Sequence, residues 1–252
     1  MKFRVLDIII FVLLFIFVNA FPVDLFPLET VYLLIIRICL RTLLLAYYIY
    51  ICVVNKINIF KFYNWKRLVL FVPFLLVSCS NLIAAGIDGA YHGELIYSND
   101  MLALLIIFHF LGAVVEEFLF RLFIQNALVK VGSLKRIFAA AGIFALMHLI
   151  NIVNVSTVDA LITVLIQVAY NFGLGILLGF VYEYSYSLIG CMFLHFSFNM
   201  LNTVLYQYLG CSAYTSDRTF YLTAVVIAVA LAIYTFLIYR FVLTKNEKYF
   251  RE

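Results

Sequence analysis

Three short patterns set groups capable of acid–base chemistry inside oily sequence: "EEFLFR" from Glu116 to Arg121, "FALMH" from Phe144 to His148, and "HFSFN" from His195 to Asn199. Ionisable groups within apolar spans are costly to keep there, so each is a functional hypothesis by default. Glu117 and Arg121 stand four positions apart, which puts their side chains on one helix face where they can pair. Glu116 is turned about 100° from Glu117 by the helical period. One carboxylate is then neutralised structurally and the other is left to face a cavity. The other two patterns repeat the four-residue spacing. Counting about 1.5 Å per residue from the helix ends sets Glu116, His148 and His195 at similar depth near the bilayer middle.

A carboxylate and an imidazole away from bulk water can share a proton. A water between them can be activated as a nucleophile, while a second imidazole and a carboxamide can donate to the oxyanion of a tetrahedral intermediate. Amide hydrolysis fits this set, with Glu116, His148, His195 and Asn199 as the catalytic candidates. The same residue types allow a second arrangement, in which Glu116, His148 and His195 hold zinc with one position open for water. No H-E-x-x-H occurs, and Asn199, one turn after His195, suits an amide donor better than a zinc ligand. The favoured reading is therefore metal-free, with no cofactor expected.

Other polar residues have plainer readings. Arg37 and Arg41, one turn apart, can snorkel or contact the bundle, and Asp7 lies near a span end. A lone helical histidine such as His109 is more often a packing residue than a ligand, so it is assigned at most a supporting place. Cys191 shares a face with His195, but a thiol nucleophile would leave the glutamate–arginine pattern without a role. It reads as a small apolar residue between helices.

The elements that must position these groups follow from composition. Of 252 residues 67% are hydrophobic and only 12% charged, with a mean hydropathy of +1.12, against an apolar share of about 45–50% in soluble domains. A bilayer core about 30 Å thick needs roughly 20 apolar residues per helix. Eight such runs are read near residues 5–22, 30–54, 68–86, 101–129, 135–153, 159–182, 187–207 and 219–243. The expected fold is an all-α polytopic membrane helix bundle. The first run follows Lys2 and Arg4, yet carries Asp7 and lacks a small-residue cleavage site, so it is read as a retained span. With only three prolines, interrupted helices are not strongly signalled.

Lysine and arginine mark the cytoplasmic side. Lys2 and Arg4, then Lys56, Lys61, Lys66 and Arg67, then Lys130, Lys135 and Arg136, and finally Lys245, Lys248 and Arg251 fall in every second loop or end. Both termini are therefore expected in the cytoplasm, although the link after the sixth span shows Glu183 and no cation. The net charge of +4 reads as topology signals and contacts to anionic lipid, and nucleic acid is not expected as a partner. The five scattered cysteines form neither a disulfide framework nor a zinc motif. Three regions are expected: spans one to three over 1–100, a catalytic core over 101–206, and a last span with a basic tail over 207–252.

The ordered patterns E-E-x-x-x-R, F-x-x-x-H and H-x-x-x-N resemble the CAAX protease and bacteriocin-processing (CPBP, abortive-infection) family, related to type II CAAX prenyl endopeptidases. The resemblance covers about residues 101–206 and includes the helix bearing Gly175 and Gly179, a G-x-x-x-G pair suited to close helix contact. It implies that Glu116 is the catalytic glutamate, that His148 helps it activate water, and that His195 and Asn199 form the oxyanion hole. Glu117 and Arg121 would support the site, and Phe144 would shape the pocket. Leu122 stands where the family often has glycine, which would narrow the cavity there or shift a neighbouring helix.

The function expected is an intramembrane endopeptidase acting on a peptide or membrane protein. Its alternatives are a non-catalytic peptide-binding or bacteriocin-immunity protein and a proton-coupled transporter, since buried Glu and His also serve as relays. The bias to Ile, Phe, Tyr and Asn points to a bacterial cell membrane, and the resemblance then to a bacteriocin or signalling peptide.

Overall fold

In lipid an apolar run can satisfy its backbone only internally, which dictates helices. The computed structural model describes residues 5–22, 26–59, 69–87, 98–205 and 217–243, and every regular element among them is helical. The terminal cations, Asp24, Lys61, Lys66, Arg67, Asp88, His92, Glu94 and Cys211 lie outside the described residues.

Helix α1 covers Val5–Ala20 and α2 covers Thr30–Val54. The third expected run is interrupted: a 3-10 turn at Val69–Phe71 precedes two short helices, α3 (Phe74–Ser78) and α4 (Ser80–Ile87). Pro73 has no N–H to continue a helix through it. Ser78 turns its hydroxyl back onto the Phe74 carbonyl at 3.2 Å, a bond that bends helices, just before the break at Cys79.

Helix α5 spans Asn99–Glu117, begins at the Ser98 cap, and runs on as a π-helical stretch, Phe118–Gln125. All eight residues of that stretch are buried, so it stands as the central post of the bundle. Helix α6 (Ser133–Met147) tightens into a 3-10 segment, His148–Asn154. Helix α7 is Val158–Ser185, capped by Thr157 and closed by Tyr186 at φ 52°. Helix α8 (Leu188–Asn199) starts at the Ser187 cap and continues as a π-helical turn, Met200–Val204. Helix α9 is Asp217–Ile238 with a π-helical end at Tyr239–Leu243. By length and composition, Thr30–Val54, Asn99–Gln125, Ser133–Val153 and Val158–Ser185 can each cross a membrane, while Val5–Ala20, Leu188–Val204 and Val225–Phe241 are shorter apolar helices.

Apolar surface gains little from leaving lipid, so helix association depends on close fit and polar contacts. The G-x-x-x-G pair of α7 supplies the fit. A Cβ on Gly175 would stand 3.0 Å from Cα and Cβ of Ala141, and one on Gly179 would stand 2.8 Å from Cγ2 of Ile137. These contacts seat α6 against α7 and bring Phe144 to the bundle centre. On the other side of the post, Phe11 and Tyr48 pack their rings on Phe123 at 4.5 and 5.2 Å between centroids, joining α1 and α2 to it.

Gly179→Val should lower the midpoint of thermal unfolding in detergent, corresponding to roughly 1–3 kcal/mol for overpacking. Gly142→Ala, where a Cβ meets nothing within 4 Å, should leave it unchanged.

Candidate active site

The junction between α5 and its π-helical continuation delivers two carboxylates, turned about 100° from each other, to the two ring nitrogens of His195. Glu117 is completely buried, and its Oε2 accepts from Nε of Arg121 at 3.0 Å, the pairing expected from their spacing. Its Oε1 lies 2.8 Å from Nδ1 of His195. A carboxylate can only accept there, so Nδ1 carries the proton and Nε2 is turned toward Glu116. Glu116 is partly open, and its Oε2 stands 3.6 Å from Nε2 of His195.

His148 is fixed by a local bond. Its Nδ1 lies 3.0 Å from the Phe144 carbonyl one turn earlier, so Nδ1 must donate and Nε2 is left with a lone pair. Phe144 is fully buried and sits edge-on to His148 at 5.0 Å, to His195 at 5.8 Å and to Phe120 at 5.0 Å. The guanidinium carbon of Arg121 is 5.7 Å from its ring centroid. One ring thus spaces both imidazoles.

Glu116, His148, His195 and Asn199 line a single cavity of about 380 Å³. Asn199 is half-buried and its amide has no hydrogen-bond partner among the described residues, so its N–H groups are available to a bound carbonyl. His109, expected only as support, also lines this cavity, as do Arg37 and Arg41. Leu122 does not: it borders a separate cavity of about 600 Å³ with Asn126 and Tyr182. Cys191 is fully buried, directs its thiol to the Leu178 carbonyl at 3.5 Å, and is absent from the cavity wall.

Among the described residues no three His, Cys, Asp or Glu side chains are disposed to hold a metal ion.

The structure also contains a polar ladder that spacing arguments did not identify. Beyond Arg121, Nη1 reaches Oε1 of Gln125 at 3.5 Å, and Nε2 of Gln125 donates to the Gly179 carbonyl at 3.2 Å and to Oε1 of Glu183 at 2.9 Å. Glu183 pairs in turn with Arg136. Gln125 continues the four-residue series from Glu117 and Arg121, a signal that was present in the sequence. Glu183 was expected in a link and Arg136 as a loop cation. In fact α7 extends to Ser185, so Glu183 is a buried helical residue, and Arg136 on α6 neutralises it.

Residues 97–201 match the family model described as type II CAAX prenyl endopeptidase Rce1-like. Over that segment, less than half of the chain, the sequence is similar to the CAAX prenyl endopeptidase family. No curated protein and no solved structure matches the chain. The matched segment includes Glu116, Glu117, Arg121, Phe144, His148, His195 and Asn199, whereas α1 and α2 lie outside it.

Glu117→Ala should cost about 3–5 kcal/mol by stranding the buried Arg121, with part recovered in the Glu117→Ala/Arg121→Leu double variant. Chemical unfolding in detergent micelles measures both.

Proposed function

We propose that this chain is an intramembrane endopeptidase that cuts a peptide bond in a membrane-associated peptide of signal or bacteriocin type, using a water activated by Glu116 and His148. The observation that carries the reading is the shared cavity of Glu116, His148, His195 and Asn199, in which each histidine commits Nδ1 to a fixed acceptor and leaves Nε2 for chemistry.

In this reading a water hydrogen-bonds to the Glu116 carboxylate and to Nε2 of His148. Its oxygen forms a bond to the scissile carbonyl carbon as its proton passes to one of these two groups. The developing oxyanion accepts from the Asn199 amide and from Nε2–H of His195 in its doubly protonated form, whose Nδ1–H remains on Glu117. The C–N bond then breaks as the held proton moves to the departing amine. Burial of the Glu117–Arg121 pair keeps His195 oriented throughout. Glu117 and Arg121 act through that histidine and do not touch the peptide.

Sidedness supports a substrate approached from one face. The cavity residues of α6, α7 and α8 lie in the halves of those helices remote from Lys130, Lys135 and Arg136, while those of α5 lie around its middle. With those cations in the cytoplasm, the cavity faces the opposite side. A peptide at the outer face of a bacterial membrane meets this requirement.

The decisive comparison is of membrane and secreted peptidomes from cells carrying wild type, Glu116→Gln or His148→Ala at equal protein levels. Specific peptides or new N-termini should fall at least about a hundredfold in both variants, while Cys191→Ala should retain them. Identical peptidomes in all strains would instead favour the peptide-binding or immunity reading.

A further inference from the structure

Arg41 brings a cation into the wall of the catalytic cavity from α2, outside the matched family segment. Its position is strongly determined. Nη1 donates to the Phe108 carbonyl at 2.9 Å and Nη2 to Oδ1 of Asn19 at 3.0 Å. Asn19 is itself oriented by donating to the Phe15 carbonyl at 2.9 Å. The guanidinium lies over the Phe108 ring, 3.8 Å from its centroid. Space for it exists because residue 112 has no side chain: a Cβ on Gly112 would stand 2.7 Å from Nη1.

Both hydrogen-bond acceptors of Arg41 are neutral, and among the described residues no carboxylate pairs with it. Glu117 is taken up by Arg121 and His195, and Glu116, across the same cavity, is required for water activation. Two of the five guanidinium N–H groups are engaged by these bonds, and the planar fork suits bidentate binding of a carboxylate. A fixed, part-buried cation whose hydrogen bonds go only to neutral acceptors, with Glu116 acting on it only across the cavity, can gain from an incoming anion.

We infer that Arg41 is the anion-binding group of the cavity and receives a carboxylate of the peptide substrate, either the free C-terminus or an acidic side chain near the scissile bond. The identity of the occupant rests on the peptidase reading. Arg41 then sets which peptides are held and where along them the bond falls against Glu116, and Gly112 and Asn19 position Arg41.

The test is binding of fluorescent hydrophobic peptides to the full chain carrying Glu116→Gln, in nanodiscs of zwitterionic lipid. Each peptide is offered with a free C-terminus or a C-terminal amide, and with Glu or Gln within the sequence. The acid form should bind about tenfold or more tightly than its neutral counterpart, and the arm showing the difference identifies the carboxylate used. Adding Arg41→Gln should abolish the difference while leaving neutral peptides bound as before, and Arg41→Lys should keep part of it. Gly112→Ala, which moves Nη1 without removing charge, should reduce it.

Equal or absent binding of acid and neutral peptides overturns the inference, as does an equal loss of both in Arg41→Gln, which would make Arg41 a helix staple. Displacement of bound acid peptide by anionic phospholipid in every variant, Arg41→Gln included, also counts against it. If acid preference depends on Arg41 but wild type cleaves none of the peptides, the anchor stands and the peptidase reading falls.

Discussion

A buried carboxylate held between an arginine and a histidine governs the centre of this molecule. Glu117 accepts from Arg121 on its own helix and from His195 on α8, and its burial means neither contact is shared with water. Such a pair stabilises weakly compared with an apolar replacement, but breaking it is costly. That asymmetry favours specificity of arrangement: α8 can dock against α5 only in the register that brings His195 to Glu117. The same constraint turns Glu116 about 100° from Glu117, so that it meets the other ring nitrogen of His195 from the cavity. Division of labour between the two glutamates is therefore a geometric result of one ion pair.

From this centre the polar contacts extend in a single direction. Gln125, Glu183 and Arg136 carry hydrogen bonding from the post to α7 and α6, while Phe144 fills the apolar side with one ring against both imidazoles. The ladder has a cost, since Nη2 of Arg121 is buried without a hydrogen-bond partner. Gly175 and Gly179 complete the frame by allowing α6 to approach α7 closely enough for Phe144 to reach its place. Polar registration and small-residue contact thus operate on the same pair of helices.

The sequence made much of this centre legible. Four-residue spacing correctly paired Glu117 with Arg121 and separated Glu116 from both, because both statements depend only on helical period. Close approach at Gly175 and Gly179 was equally readable. What escaped depended on partners distant in the chain. Glu183 in "EYSYS" resembled a link until α7 ran through it, and Arg136 resembled a topology signal because nothing local revealed its counterion. Arg41 has its explanation in Asn19, Phe108 and Gly112, residues on two other helices. The interruption after Pro73 was missed because overall composition argued for an unbroken apolar span, while Ser78 and Cys79 carry no strong breaking signal of their own.

That interruption has a consequence for how the chain is assembled. A continuous apolar helix can enter lipid alone and find its neighbours afterwards. The segment Val69–Ile87 follows that order less readily, because it is held across its interruptions by short turn-type backbone bonds in place of one continuous helical series. Its stabilising contacts come from later in the chain: Phe74 stacks on Phe198 at 5.9 Å and Ser80 donates to Asn202 at 3.3 Å. Both partners lie on α8 and its continuation, beside His195 and Asn199. The third hydrophobic run therefore reaches its final form only once the last element of the candidate active site has been synthesised and docked, which ties completion of the bundle to completion of the site.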